Sequence, residues 1–283
     1  MKNENGSQRC ANIACGGSIV GSWLNLDFSP AAPAVKKANL LKRLPLGDQS
    51  IDVCYSSHFL EHIPTNKVGG FLRECHRILV PGGRIRLVMP DLEEICREYL
   101  NTREAGQHEK ADFVVLELLD QCVRQVAGGQ LGQYYRSLPD RENKEAMRDY
   151  VRIRTGESID VRTRQYGRHS ILLARIMAAL RSPKKLLTWL QWSYSRALSL
   201  LFPPAFRQQN ISFTSVGERH MWVYDFHTVA KLLQEVGFVD VEKLACHRSH
   251  IVDFPVVPLD MDEDGQPRKG RESMYIEARR PLL

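Results

Sequence analysis

The sequence predicts an α/β fold in which helices flank a mostly parallel sheet. A strand, a helix and a second strand follow one another at Ile51–Ser56, Thr65–Leu79 and Arg84–Met89. Upstream, a buried-strand pattern at 9–14 leads into a glycine turn. Strands that alternate with helices pair in parallel, and such sheets bind their ligands at the carboxyl ends of the strands.

The first strands lie close together in the sequence. The run at 9–14 is followed by an alternating strand at Trp23–Asp27 and by a short third strand at Ala38–Leu41. Only eleven residues separate Gly16 from Asp27, which is short for a strand–helix–strand unit. We therefore expect the helix between the first two strands to be short or missing.

The central unit carries clear start and stop signals. The helix Thr65–Leu79 has apolar residues at the spacing of one buried face: Val68, Phe71, Leu72, Cys75, Ile78 and Leu79. The turn Pro81-Gly82-Gly83 ends it before the fifth strand. Pro90-Asp91 then opens a helix at Leu92–Leu100.

Residues 101–210 interrupt this alternation and have helical patterns throughout. The alternation resumes with a helix from Asp225 to Glu235, a stop at Gly237, a strand at Val239–Cys246 and a last strand at Ser273–Ala278. We predict one domain in two parts, 1–100 and 211–283, with 101–210 as a helical insertion or cap. The last strand is expected to be antiparallel.

The composition favours a reduced, cytoplasmic protein. The chain has 283 residues, 43% of them hydrophobic, and seven cysteines that are scattered and form no C-x-x-C pair. We expect no signal peptide, because the N-terminus has no apolar run, and no membrane-spanning helix, because no stretch of 18 uncharged apolar residues occurs.

The positive charge is concentrated in the insertion. Residues 161–210 contain nine basic residues and no acidic one, so the rest of the chain carries −3 of the total of +6. Within this segment, Ser170–Phe202 combines leucines, tryptophans and spaced cations. Such helices can lie on an anionic membrane surface, or they can pack against their own domain. No nucleic-acid-binding module occurs, so we expect no nucleic-acid partner.

A candidate cofactor site follows the first two strands. The turn Ala14-Cys15-Gly16-Gly17 would let a ligand approach the backbone closely. Asp27 closes the second strand, where a carboxylate can accept hydrogen bonds from ribose hydroxyls. An ordinary tight turn is the alternative.

Two motifs have metal-site spacing. His58, Glu61 and His62 form the H-x-x-E-H pattern of some zinc hydrolases. On one helix, the two histidines would share a metal and Glu61 would act as the base. A strand leads directly into this run and Pro64 ends any helix, so we predict no metal there. The run from Asp260 to Gly265 begins like a calcium-binding loop but lacks its glutamate, which predicts a solvated acidic loop.

In this order, the predicted strands, helices and motifs resemble those of a class I S-adenosylmethionine-dependent methyltransferase. Cys15-Gly16 matches the family's glycine turn, with Ala14 in place of the first glycine, and the run from Ser57 to His62 matches its S-x-x-x-E-H pattern. The runs Gly21–Asp27 and Gly217–Asp225 are similar to those of a methyltransferase group with an abbreviated first crossover.

The resemblance implies a Rossmann-like sheet, S-adenosylmethionine as cofactor and methyl transfer to a small-molecule or glycan acceptor with a sugar-type hydroxyl. The family's third strand ends near the adenine, at a position that corresponds to Asn39-Leu40. It implies a cofactor site built from Ala14, Cys15, Gly16, Gly17, Asp27, Asn39, Leu40 and Ser57. A hydroxyl acceptor needs a base, for which His62, His58 and His220 are candidates. Two alternatives remain open: a metal-dependent hydrolase that uses His58, Glu61 and His62, and a catalytically silent binding protein.

Overall fold

The structure, a computed structural model, describes residues 8–140, 144–157, 183–212, 214 and 217–282. Seven strands of these ranges form one sheet: β1 Cys10–Ile13, β2 Leu24–Asp27, β3 Val35–Lys37, β4 Ile51–Ser57, β5 Leu79–Pro90, β6 Val239–Leu244 and β7 Ser273–Arg279. Their order across the sheet is β3-β2-β1-β4-β5-β7-β6.

The strand directions confirm the predicted fold class. Strands β1 to β5 pair in parallel, whereas β7 is antiparallel to both of its neighbours, β5 and β6. The strand order reverses at β1, which pairs with β2 on one side and with β4 on the other. In open α/β sheets, ligands bind at the carboxyl ends of the strands beside such a reversal.

Helices cover both the sheet and its carboxyl edge. The described helices are α1 Thr65–Ile78, α2 Leu92–Glu104, α3 His108–Val123, α4 Gly129–Ser137, α5 Lys144–Thr155, α6 Pro183–Ser199, α7 Pro204–Asn210, α8 Phe226–Val236 and the single turn α9 Val256–Leu259. Short 3-10 turns occupy Leu60–His62 and Leu138–Asp140. None of the described helices is both long enough and apolar enough to cross a membrane.

The helix signals in the sequence correspond to real contacts. The apolar face of α1 packs into the main core through side chains such as Phe71, Leu72 and Ile78. The carboxylate of Asp225 accepts a hydrogen bond from the backbone N–H of Thr228 and so caps the start of α8. Gly237 ends this helix in a left-handed conformation.

The third strand differs from its prediction. It lies at Val35–Lys37 instead of Ala38–Leu41. The Ala38 N–H still donates to the carbonyl of Asp27 on β2, but the chain then turns, and the N–H of Lys42 donates to the carbonyl of Asn39. Leu40 then points into the core, where it is buried among other apolar side chains. In the sequence, an apolar residue that is buried just after the end of a strand looks the same as an apolar residue within the strand.

The first crossover helix is missing, as the short spacing predicted. Residues 14–23 form a loop that two buried asparagines hold in place. The Asn12 amide donates to the carbonyl of Ser18, and the Asn25 amide donates to the carbonyls of Val20 and Trp23. These bonds satisfy backbone groups that a helix would have satisfied internally.

The first part of the insertion packs against the chain that leads into β7. The N–H groups of Arg271 and Glu272 donate to the carbonyls of Ile153 and Arg154 at the end of α5. Gly270 has a positive φ, and a Cβ there would overlap the Arg154 carbonyl oxygen. Residues 158–182, which include much of the predicted amphipathic segment 170–202, lie outside the described residues.

The acidic loop at 260–265 is not fully solvated, which corrects the sequence-based expectation. Asp260 is buried and forms an ion pair with Arg86 on β5, with 2.6 Å between Nε and Oδ2. Arg86 also pairs with Glu277 on β7, at 2.7 Å, and all three side chains are fully buried. The Tyr55 hydroxyl donates to the other oxygen of Asp260. Only the later residues of the loop, such as Asp264, are exposed.

Candidate active site

The candidate site lies along the carboxyl edge of the sheet. The ends of β1 and β2 carry the glycine turn and Asp27, and the ends of β4 and β5 carry His58 and Pro90. Because β7 is antiparallel, its first residue, Ser273, pairs with Pro90 at this same edge. The residues that precede β7 therefore face the residues that follow β4.

The glycine turn leaves its backbone open on one side. Gly16 has φ +52°, and a Cβ at this position would meet no atom within 4 Å. The N–H of Cys15 donates to the carbonyl of Leu26 on β2, which fixes the turn against the sheet. Burial and the nearby Asp27 carboxylate raise the pKa of the Cys15 thiol to about 11, so this thiol stays protonated and is not a nucleophile.

Asp27 links the glycine turn to the second strand. Its Oδ2 accepts a hydrogen bond from the N–H of Gly16 at 2.9 Å, and its Oδ1 accepts one from the N–H of Ser29 at 2.7 Å. A carboxylate has about four acceptor positions. Two positions therefore remain for donors on a ligand that lies against the turn.

The other predicted cofactor residues have varied environments. Asn39 is exposed, and its side-chain oxygen accepts a hydrogen bond from the N–H of Leu41. Leu40 is buried in the main core. Ser57 is half-buried and ends β4 beside the histidine cluster. Contact of these three residues with a cofactor stays a prediction.

Three histidines surround a buried carboxylate after β4. The carboxylate of Glu61 is 1% exposed, and its Oε1 lies 3.3 Å from Nδ1 of His58 and 3.9 Å from Nε2 of His62. His220 comes from the far side of the insertion, and its ring meets the His62 ring edge to face with centroids 4.8 Å apart. The 3-10 turn at Leu60–His62 replaces the helix that the H-x-x-E-H pattern needs for two histidines on one face.

Burial and mutual contacts set the ionisation of this cluster. Burial alone would raise the pKa of Glu61, but the contact with His58 and the positive charges that the neighbouring histidines acquire at low pH lower it to about 2. Burial lowers the pKa of His220 to about 4 and also lowers the pKa of His58. At neutral pH, Glu61 is therefore ionised, while His58 and His220 are neutral and can accept a proton.

A cavity of about 480 Å³ opens onto this cluster. The insertion forms one wall, through residues such as Gln121, Leu131 and Tyr135 of α3 and α4. The chain before β7 forms another wall, with Lys269 and Glu272. The volume matches that of a small-molecule site.

The cavity walls carry both acidic and basic side chains. Burial and the nearby Arg268 lower the pKa of Lys269. Burial and the neighbouring Glu117 carboxylate raise the pKa of Glu272 well above its ordinary value. Arg154 pairs with Glu117 at 2.6 Å beside them. The cavity therefore suits a polar ligand with hydroxyl groups better than a purely apolar one.

Residues 14–87 match a protein family described as a methyltransferase domain. The match begins at the glycine turn, includes Asp27 and the histidine run after β4, and ends in β5. This part of the chain is similar to a methyltransferase domain. The family implies S-adenosylmethionine as the cofactor.

Several solved structures resemble the chain at low identity. An S-adenosylmethionine-dependent methyltransferase from Mesorhizobium loti aligns at 17% identity over 96% of this chain and 91% of its own, with a TM-score of 0.36. A possible histamine N-methyltransferase from Thermotoga maritima aligns at 12% identity over 97% and 83%, with a TM-score of 0.39.

A possible exported protein from Bordetella parapertussis aligns at 10% identity and a TM-score of 0.38. The alignment covers 97% of this chain but only 62% of the Bordetella chain, so this chain spans less than two thirds of that protein. At such TM-scores these likenesses carry no argument about function. No curated protein sequence matches the chain.

The ends of β1 and β2 offer groups that would hold S-adenosylmethionine. Gly16 leaves open space where any other residue would place a Cβ, and Asp27 has free acceptor positions beside it. Ala14 also has a positive φ, of 58°. Cys15 supports the turn from the buried side.

The structure brings the three candidate bases into one place. His58, His62 and His220 all line the cavity, although His220 is far from the other two in the sequence. Sequence reasoning missed Lys269 and Glu272, because a lysine and a glutamate outside any motif give no signal of burial. The roles of all these residues in catalysis stay predictions.

Proposed function

We propose that this protein transfers a methyl group from S-adenosylmethionine to a hydroxyl-bearing small molecule or glycan bound in the 480 Å³ cavity. One observation carries the proposal. A polar cavity with three histidines and a buried carboxylate lies at the same sheet edge as the open glycine turn of the methyltransferase domain. A sulfonium cofactor supplies an electrophilic methyl group, so the protein needs mainly to align the acceptor and exclude water.

Different groups of the protein would bind the cofactor, accept the proton of the acceptor and exclude water. Asp27 would accept hydrogen bonds from the cofactor's ribose, and the glycine turn would let the cofactor lie against the backbone. His58 and His220 are neutral at physiological pH, and a neutral imidazole can take the proton of an acceptor hydroxyl. The insertion would close the cavity from above and limit the access of water.

Calorimetry with S-adenosylhomocysteine tests the cofactor half of this proposal. Charge-assisted hydrogen bonds are worth about 1.5–3 kcal/mol, so Asp27→Ala should weaken binding by about 10- to 150-fold. Asp27→Asn keeps the shape but loses the charge, and its effect should be smaller. Asp149→Ala, an exposed acid on α5, is the matched control and should bind like the wild type.

The same experiment separates the two alternatives. An unchanged dissociation constant for Asp27→Ala, in a sample with wild-type circular dichroism, would remove Asp27 from the cofactor site. No binding by the wild type would favour the catalytically silent protein. The hydrolase alternative needs metal-dependent turnover of an ester or amide without any cofactor. Its geometry is weak, because Nδ1 of His58 faces Glu61 and Nε2 lies 3.0 Å from the Ser273 hydroxyl.

We also propose that the insertion touches an anionic membrane surface through residues 170–202, and that the protein works in the cytoplasm, where its seven free cysteines stay reduced. Apolar side chains of the described part are exposed, among them Leu187, Leu190, Leu200 and Leu201. This exposure favours the membrane interpretation over packing against the protein's own core. The absence of acidic residues from 161–210 adds electrostatic attraction to anionic lipids.

Sedimentation with liposomes tests this contact. Binding to vesicles that contain phosphatidylserine should fall as salt rises, because surface charges are screened beyond roughly 8 Å at physiological ionic strength. Replacing Arg181, Lys184 and Lys185 by glutamine should weaken it, whereas neutral vesicles should bind poorly. Protein that stays in the supernatant at low salt would mean that the insertion serves only as a cap.

A further inference from the structure

We propose that Glu61, His62 and His220 form a binding site for a divalent transition-metal ion such as Zn²⁺ in the wall of the acceptor cavity. One ligand atom from each of the three lies within 4.8 Å of the others. The set differs from the H-x-x-E-H pattern of the sequence, since His220 replaces His58. Two imidazoles and one carboxylate are a frequent ligand set for zinc and for other borderline metals.

The carboxylate lacks the hydrogen bonds that such burial normally requires. Glu61 is 1% exposed, and neither of its oxygens forms a hydrogen bond of good geometry with a described residue. Its neighbour His58 approaches Oε1 only to 3.3 Å. Carboxylate oxygens buried this deeply normally accept hydrogen bonds. A bound cation would occupy the positions of the missing donors.

His62 is held in the orientation and tautomer of a metal ligand. Its Nδ1 lies 2.9 Å from the carbonyl oxygen of Arg219. A carbonyl only accepts, so Nδ1 carries a hydrogen, and Nε2 is the ring nitrogen available to a metal. This nitrogen lies 3.9 Å from Oε1 of Glu61. Metal-binding histidines commonly donate their second N–H to a carbonyl in this way.

The two segments that supply the ligands are fixed to each other. The N–H of Met221 donates to the Glu61 carbonyl at 2.6 Å, and the N–H of His220 donates to the carbonyl of Gln121 at 2.9 Å. In a tetrahedral site, zinc ligands at about 2.0–2.2 Å from the metal lie about 3.3–3.6 Å from one another. The ligand atoms, now within 4.8 Å of one another, therefore have to move closer by about 1 Å, which rotation of the side chains can supply while the backbone contacts stay in place.

Three protein ligands leave one or more metal positions open to the cavity, as in catalytic zinc sites. The role of the ion rests on the proposed function. An acceptor hydroxyl that binds the ion would lose its proton to solvent more readily, so His220, as a ligand of the ion, would not act as the base. The oxygen electron pair would then form the C–O bond as the methyl–sulfur bond breaks, with both electrons of that bond staying on sulfur. The ion thus suits the hydroxyl acceptor of the proposed function.

The test measures metal binding without any turnover. The full chain is stripped with a chelator and titrated with Co²⁺, whose visible absorption reports its ligands, and with Zn²⁺ against a chromophoric competitor. We expect one equivalent to bind. Glu61→Gln and His220→Asn should each weaken binding by at least about tenfold. If Glu61→Gln fails to fold by circular dichroism, His62→Asn takes its place beside His220→Asn.

Matched controls remove groups that bind metals adventitiously. His250→Asn removes an exposed histidine that pairs with Glu242, and Cys96→Ser removes an exposed thiol; both should bind the ion like the wild type. The proposal is overturned if the stripped wild type takes up no saturating equivalent, or if the Glu61 and His220 variants bind as tightly as it does.

Calorimetry with S-adenosylhomocysteine on the stripped protein keeps the two proposals apart. Cofactor binding without metal binding would refute only the metal site. Metal binding without cofactor binding would refute only the methyl transfer proposed above.

Discussion

Replacing Arg86 by methionine should destabilise the protein strongly, and the loss should depend on pH. Arg86 is fully buried between Asp260 and Glu277, at 2.6 and 2.7 Å, and its guanidinium also lies over the ring of Phe254. Methionine keeps much of the apolar contact but leaves two buried carboxylates without their cation. Removing one partner of a buried ion pair costs about 3–5 kcal/mol, so we expect this loss in the free energy of unfolding at pH 7.

The pH dependence follows from the carboxyl groups that remain. Burial already raises the pKa of Asp260, and the loss of Arg86 raises it further. A carboxyl whose folded pKa exceeds its unfolded value of about 3.9 favours folding at low pH, and this benefit is lost as the pH rises through the folded pKa. One such group changes stability by up to about 1.4 kcal/mol per pH unit. Lowering the pH from 7 to 5 should therefore recover up to about 2.7 kcal/mol relative to the wild type.

Urea unfolding followed by circular dichroism at pH 5 and pH 7 measures both the loss of stability at pH 7 and its recovery at pH 5. Arg97→Met is the matched control, because Arg97 is exposed and pairs with the exposed Glu93 along α2. Its unfolding midpoint should equal that of the wild type. A loss of less than about 1 kcal/mol for Arg86→Met at pH 7, or an equal loss at both pH values, would refute the reasoning.

Three further predictions concern the backbone near the site. Gly16→Val should abolish S-adenosylhomocysteine binding while the circular dichroism spectrum stays unchanged, because a side chain at φ +52° would fill the open space above the turn. Full binding in calorimetry would show that the turn is only structural. Gly270→Ala should lower the free energy of unfolding by about 2–4 kcal/mol, because its Cβ overlaps Arg154 and φ is +73°. Gly21→Ala, which meets nothing within 4 Å, should leave the urea midpoint unchanged. Asn25→Ala should cost about 1–3 kcal/mol in the same assay, because it removes the amide that donates to the carbonyls of Val20 and Trp23 and accepts from the N–H of Val20. An unchanged midpoint would contradict this.

The local signals of the sequence predicted much of the fold. Alternation of strands and helices gave the parallel sheet, and the spacing between Gly16 and Asp27 gave the missing crossover helix. Asp225 and Gly237 marked the ends of α8 correctly. These features depend on neighbouring residues only, so a single sequence contains the information needed to find them.

Features that depend on distant partners were missed. Asp260 looked like a solvated acid, because nothing near it in the sequence shows that Arg86 lies opposite it in the fold. Leu40 looked like a strand residue, although it packs into the core after the strand has ended. The burial of Lys269 and Glu272 in the cavity wall likewise results from packing against the insertion.

The placement of the insertion explains why the cofactor and acceptor regions can be tested separately. The predicted cofactor residues all lie between 14 and 57, before the insertion begins. The proposed acceptor cavity is lined by His220, which follows the insertion and is fixed to it. The His220 N–H donates to the carbonyl of Gln121, and the Arg219 side chain donates to the carbonyl of Cys122.

The insertion also holds this segment through charge. Arg124, at the end of α3, pairs with Asp120 at 2.9 Å and with Glu218 at 3.5 Å. The insertion thus holds the 217–221 segment against Glu61. Changes within α3 should therefore disturb the proposed acceptor cavity and the proposed metal site, while the glycine turn keeps its shape. A change in α3 that weakened cofactor binding as much as acceptor or metal binding would show that the two regions form a single unit.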